Sequence, residues 1–551
     1  MKQIFLQRTI LCFLLLPMIV FSFAACSALQ HGESPDTDES SGPDISKFIV
    51  AVEDEPDTVD FQCTSIHYTI AQNVFNRLVE TENDANGDMQ IQPSLAESWE
   101  ISDDGRTYTF HLRDNVSFSN GSALTASDVE YTFRRLLTHP ESCNKDIADG
   151  IAGASDLESG KTEKLAGFKV LSDLDFSITL DDPFAAFLAC LSMPAASILD
   201  QETTEEAGDR FGKDPEWTIG TGSFVMWKWV PEEGMLLTAN KDCWQGAPHS
   251  EGLDLIFITD SKEIRRMFDN GEIDLLDLDE VGNAAEYYIH GDIYQDRLYC
   301  VPRIGITYIA LNESIAPLND VRVRTAMQRL LNRSVLLEAV YGGRGNVENG
   351  IYPAGLYGYD PDLPDIPYDP EGAKELLAEA GYPNGFDLTV SVNSASTRWE
   401  LSVLRIAASM WEKAGIHAEI DVIDESEFMS LRKSGRLECY TAQWMADYND
   451  PDNFIYTFFG NWENTSFRSL CYPDKDVMKR VRLARAIADP DERIKEYREL
   501  QSKIVQDDAA WIPLYSRLRY YVSSERLEGV QASWNGSVKN NYRELSIADG
   551  E

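Results

Sequence analysis

Apolar positions along the chain keep two rhythms, changing near residue 300. In the first part they alternate over short runs. FIVAVEDEPDTVD (48–60) predicts an opening strand that Pro56 interrupts, and TYTFHL (107–112) predicts another, entered through an Asp104-Gly105 turn. Asn120-Gly121 marks a second turn. Thr125 with Asp128 three positions on forms the box that starts a helix over ASDVEYTFRRLL. One early stretch keeps a helical period: Ile70, Val74, Phe75 and Leu78 in TIAQNVFNRLVET (69–81).

Beyond residue 300, helical periods alternate with strand patterns. DVRVRTAMQRLLNRSVLLEAVYGG (320–343) predicts two helical pieces with a glycine stop. PEGAKELLAEAGYPNGFDLTVSV predicts a helix ended by Gly381 and then a strand. STRWELSVLRIAASMWEKAG predicts a long amphipathic helix stopped by Gly415, followed by the strand IHAEIDVI. Asp424 and Glu427 cap a further helix, ESEFMSLRKSG, and LECYTAQ (437–443) is the next strand. This alternation predicts an α/β lobe whose sheet is at least partly parallel. Ligands of such sheets collect outside the carboxyl ends of strands. WMADY (444–448) follows directly on a strand, so Asp447 falls where a site is expected. Its apolar company leaves four roles open: catalytic acid, metal ligand, anchor for a cationic group, or surface charge.

The first residues read as a targeting segment. Lys2 and Arg8 precede the apolar run ILCFLLLPMIVFSF, and FAAC then places Cys26 after two small residues. That pattern is similar to a bacterial lipobox, with Phe23 where Leu is usual, and SALQHGESPDTDESSGPDIS (27–46) reads as a disordered tether. The balance of 48 Lys+Arg against 92 Asp+Glu gives a net charge of −44, which argues against nucleic acid as a partner. Of nine cysteines, seven remain after Cys12 and Cys26, scattered and without a CxxC pair, so no disulfide framework or zinc site is legible.

Motifs for chemistry fail on inspection. There is no GxSxG and no HExxH, and GASDLESGKT (153–162) has the wrong glycine spacing for a P-loop. Read as a calcium loop from Asp447, the sequence offers Pro451, Asp452 and Phe458 where an oxygen ligand, a glycine and a bidentate Glu are required. No catalytic residue, metal ligand or cofactor is therefore assigned.

The chain does resemble one family, the family 5 extracellular solute-binding proteins, the oligopeptide- and dipeptide-binding components of ABC importers. DGRTYTFHLRDNVSFSNGSALTASDVEYTF, GTGSF (220–224), LTANKDCWQGAP, NGEIDLL, PLNDVRVRTAM, AGYPNGFDLTV, WEKAGI and IPLY occur in the family's order over nearly all of the mature chain. The resemblance implies a two-lobed α/β, periplasmic-binding-protein-like (Venus flytrap) fold with an additional small α+β domain. It divides the chain into a signal peptide (1–25), a lipidated Cys26 with its tether (26–46), a first lobe (47–78, 195–300 and 512–551), an extra domain (79–194) and a second lobe (301–511). Asp447 in WMAD matches the carboxylate that holds a peptide's α-ammonium, with Gln443, Trp444, Met445 and Tyr448 beside it. The alternative for Asp447 is a helix or turn cap using NDPDN. Arg398 and Arg432 are candidates for the peptide's carboxylate or are solvated helix charges. Thr64 and Ser65 correspond to a ligand-lining stretch or to a plain loop. The expected protein is a monomer, anchored by lipid outside the cytoplasm of a bacterium, that passes short peptides to an ABC permease. Nickel chelates, haem or an oligosaccharide are the alternative ligands, and a secreted hydrolase is the alternative class.

Overall fold

The computed structural model describes Pro43 and residues 45–52, 55–64, 68–83, 89–395, 398–531 and 542–548, except the side chains of 283 and 398. The signal segment, Cys26 and most of the tether lie outside these residues. Among the described residues no helix is long and apolar enough to cross a membrane.

Among the described residues an eleven-stranded mixed sheet runs through both lobes. In chain order its strands are β1 (Lys47–Val52), β2 (Phe224–Val230), β3 (Gly234–Ala239), β4 (Gly252–Phe257), β5 (Leu275–Asp277) and β6 (Leu298–Leu311). They continue with β7 (Gly345–Val347), β8 (Phe386–Asn393), β9 (Ile416–Ile423), β10 (Cys439–Met445) and β11 (Trp511–Ser523). The spatial order is β9-β8-β10-β6-β11-β5-β1-β4-β3-β2, with β7 added to β11. The pairs β1–β4, β1–β5 and β8–β9 are parallel, so the sheet is partly parallel as its alternating elements predict.

Each half of the sheet buries its own residues. On the β1 side, Phe48, Phe75, Leu237, Leu253 and Leu255 fill one face, and Ile264, Phe268, Leu276 and Tyr288 the other. On the β8–β10 side, Leu388, Val390, Val403 and Trp411 fill one face, and Tyr308, Tyr440, Phe458 and Trp511 the other. A separate four-stranded antiparallel sheet (Ala96–Ile101, Thr107–Leu112, Phe168–Val170, Asp175–Thr179) packs with the helix Ala126–Thr138 around Phe110, Phe133 and Phe176.

The two halves are joined by β6 and β11, which run antiparallel for most of their length. Leu298–Arg303 faces Val522–Arg517 in regular register, but Thr307 then faces Tyr515 and Tyr308 faces Pro513. Residues inserted into one strand of a ladder bend it and sharpen its twist. The irregularity therefore sits between the two halves of the sheet.

Turn and cap signals produce the local structures they predict. Gly105 and Gly121 take positive φ (67° and 91°). Thr125 and Asp128 close a capping box, with the Asp128 side chain accepting from the Thr125 N–H at 2.9 Å. TIAQNVFNRLVET departs from its helical period. The helix covers only Tyr68–Val74, and Val79–Asn83 is a strand paired with Met89–Pro93. Its apolar residues serve two cores in turn: Phe75 packs with Phe48, whereas Leu78 packs with Phe110. The Val74 carbonyl accepts from Gly222 N–H (2.8 Å), where a Cβ on Gly222 would collide with the chain, so burial overrides the local period.

Candidate ligand-binding site

β10 ends two residues before Asp447, and one of its edges is open. It pairs with β6 along its whole length, from Cys439 to Met445, but meets β8 only where Val390 faces Cys439. From Tyr440 onward its second edge has no partner strand among the described residues. Such an edge presents a row of unpaired main-chain donors and acceptors.

Alternation along β10 sends its side chains to opposite faces. Trp444 packs edge-on against Phe458 (5.4 Å between centroids), with the Arg468 guanidinium 5.5 Å above its ring. Gln443 and Met445 face the other way, lining a pocket with Arg303, Gly305, Thr307 and Arg517. Gly305 is required there, because a Cβ would strike Met445 Sδ and the Trp444 carbonyl.

Asp447 is fixed by Asn453, in the first turn of the helix Asp452–Phe459. Asn453 Nδ2 donates to Asp447 Oδ2 (2.9 Å), and Asn453 Oδ1 accepts from the Asp447 N–H (3.1 Å) and Trp444 Nε1 (3.3 Å). Asp447 does not cap that helix. The N–H of Asp452 is taken by Asp450 (2.9 Å), itself held by Arg493 through a buried two-point ion pair (2.6 and 2.7 Å).

The Asp447 side chain remains exposed to solvent, while the protein around it strips part of the hydration from its carboxylate. Lost hydration raises its pKa to about 6; the Asn453 amide and the nearby Arg468 oppose the rise, and Asp146 adds to it. No cation among the described residues lies within ion-pairing distance of it. Tyr68 and Asp146 lie near enough to interact electrostatically with Asp447, and Asp149 lies near Asp146. Burial raises the pKa of both acids, that of Asp149 to about 6, with Asp146 adding to the latter.

The other expected residues are placed as follows. Thr64 lies beside Tyr68 and Asn144, its carbonyl accepting from Tyr68 Oη (2.9 Å) and Asn144 Nδ2 (2.8 Å). Ser65 lies outside the described residues, as does the Arg398 side chain, although Arg398 begins the helix Arg398–Trp411. Tyr448 packs against the core of the four-stranded domain, and its hydroxyl donates to Asp452 (3.3 Å). Arg432 stacks over Phe467 (5.9 Å), on the same side of the sheet as Arg468. Sequence reasoning missed Tyr68, Asn144, Asp146 and Arg468, which no motif links to Asp447, and named Asn453 only within the NDPDN of a possible cap. Among the described residues no three His, Cys, Asp or Glu side chains are grouped to hold a metal ion.

Comparison with known proteins adds the following. The family model described as bacterial extracellular solute-binding proteins, family 5 Middle, matches residues 90–466. The chain is 30% identical over 472 residues to Heme-binding protein A of Haemophilus influenzae, covering 83% of this chain and 84% of that one. It is 29% identical over 458 residues to the Dipeptide-binding protein of Escherichia coli (strain K12), covering 79% and 82%. The structure of HbpA2 from Haemophilus parasuis superposes with a TM-score of 0.76 at 26% identity, over 91% of this chain and 99% of that one.

Proposed function

The chain belongs to the bacterial extracellular solute-binding proteins of family 5, and we propose that it captures short peptides in the cleft at Asp447 and delivers them to an ABC permease. The observation that carries this reading is the Asp447 carboxylate, oriented by Asn453 and lacking an ion-pair partner among the described residues, at the end of a strand with an open edge. A peptide supplies both missing complements. Its α-ammonium offsets the cleft carboxylates, and its main chain pairs with the β10 edge in a way that tolerates any side chain. The lobes 47–78 with 195–300 and 512–551, and 301–511, would close about the ligand, with 79–194 as an accessory domain. A lipid on Cys26 would hold the monomer at the outer face of the membrane. Binding is the whole of the activity, so peptide should be recovered intact.

The test is Asp447→Asn, assayed by calorimetry with tri-alanine. Losing the charged partner should weaken binding by about ten- to a hundredfold, the scale of a hydrogen bond to a charged group. Unchanged affinity would remove the anchor role. Haem is the second reading, prompted by the name of the Haemophilus influenzae relative. A haemin titration followed in the Soret region decides between them, since tight haem binding with no peptide response would replace the peptide reading.

A further inference from the structure

A cavity of about 470 Å³ lies against β7, and none of its lining residues belongs to β10 or to the segment around Asp447. Its walls come from residues between Gly345 and Asp365, with Gln501 from the end of the helix Pro490–Ser502. Two lining side chains are almost wholly buried, Glu348 and Gln501, each 1% exposed. Glu348 Oε1 accepts from Ser516 Oγ, on β11, and from the Ala354 N–H (3.1 Å), whereas its Oε2 accepts from no group among the described residues. Gln501 Oε1 accepts from the N–H groups of Ile351 (3.1 Å) and Tyr352 (3.4 Å), which fixes the orientation of the amide. Its Nε2 donates to no group among the described residues. Buried polar groups are almost always satisfied, so a spare acceptor and a spare donor on one cavity call for a molecule that brings both complements.

The charge of the lining says what kind of molecule. Asp360 and Asp365 line the cavity with Glu348, and no Lys, Arg or His does. Asp365 is engaged by Asn349 Nδ2 (2.7 Å) and Asp360 by the Asp362 N–H (3.2 Å). The nearby Arg333 spends its guanidinium on the main-chain carbonyls of Glu348 and Ile366 and on Asn349 Oδ1. Burial pushes the Glu348 carboxyl up to about 7, against Ser516, the Ala354 N–H and Arg333, so its charge is costly until a cation meets it. The volume is that of a small-molecule pocket, and among the described residues no three His, Cys, Asp or Glu side chains are grouped to hold a metal ion. We propose that this cavity is a second ligand site, for a small polar amine whose ammonium donates to Glu348 Oε2 and whose neighbouring oxygen accepts from Gln501 Nε2. Its occupancy does not depend on what Asp447 binds.

The experiment titrates glucosamine, glucose and cyclohexylamine into the intact protein, followed by saturation-transfer NMR. Glucosamine joins an ammonium to several oxygens; glucose lacks the charge, and cyclohexylamine lacks the oxygens. Glucosamine should bind at least about tenfold more tightly than either. Glu348→Gln keeps an acceptor for Ser516 and Ala354 and should weaken glucosamine about ten- to a hundredfold, the scale of a hydrogen bond to a charged group. Glucosamine should stay bound in Asp447→Asn and in the presence of saturating tri-alanine. Equal binding of glucose or of cyclohexylamine would overturn the proposal, as would no binding of glucosamine at all. Displacement by tri-alanine, or loss in Asp447→Asn, would put the amine at Asp447 and overturn it as well. The three-compound comparison uses the wild-type protein, so a misfolded Glu348→Gln does not remove the test.

Discussion

Asp447 is an acid whose charge has been left expensive. Burial lifts its pKa to about 6 from an ordinary value of 3.8. The sign of the consequence follows directly. Below about pH 4 the group is protonated whether the chain is folded or not and has no effect. Between there and pH 6 the folded state holds the proton more tightly, so the ligand-free protein loses stability as pH rises through this window. An ammonium bound at Asp447 requires the ionised form. Peptide affinity should therefore fall about tenfold from pH 7 to pH 5, and Asp447→Asn should flatten that profile. Asn453 supplies the only stabilising hydrogen bond from a side chain to this carboxylate among the described residues. Asn453→Ala should thus move the midpoint of the profile upward as well as weaken binding. A change in affinity with an unmoved midpoint would mean that Asn453 only supports the fold.

At the scale of elements, β10 is fully paired on one side but meets its second neighbour, β8, at a single position. If a peptide occupies the second edge, methylating one of its peptide-bond nitrogens removes a donor from the ladder. The expected loss is about five- to tenfold per nitrogen, the value of one ordinary hydrogen bond, measured by competition against the parent tripeptide. Equal binding of methylated and parent peptides would place the ligand elsewhere. Elements of this kind were legible in the sequence wherever local chemistry decides them. Examples are the Gly105 and Gly121 turns, the Thr125–Asp128 box, the Asp424 cap and the strand before Asp447. The helix expected over 69–81 failed because its apolar residues are divided between two cores, which a period cannot express. The site was legible as a position and not as an environment. WMAD located Asp447, but Tyr68, Asn144 and Asp146 reach its cleft from distant sequence. Arg303 and Arg517 come together only through the antiparallel pairing of β6 with β11.

For the molecule as a whole, closure about a ligand should register in both size and stability. Saturating peptide should reduce the radius of gyration in X-ray scattering, and a hundredfold excess over Kd should add about 2.7 kcal/mol to unfolding. Stabilisation without contraction would mean binding without lobe movement. The two strands that join the lobes also set an order of assembly. Everything between β6 and β11 is one continuous stretch, whereas the lobe that begins with β1 is finished by the last residues of the chain. There, the buried Asp274 gathers Ile49 N–H (2.9 Å), Ser524 Oγ (2.7 Å) and Arg526 (2.6 Å). Tyr542 seals the same core against Phe48 and donates its N–H to Asn73 (2.8 Å). A chain emerging from its N-terminus can pair β1 with β4 and β5 early, but this core stays open until Arg526 and Tyr542 arrive. A copy cut short near its C-terminus would keep Asp447 and Asn453 yet lack these contacts, leaving the core beneath β1 unsealed.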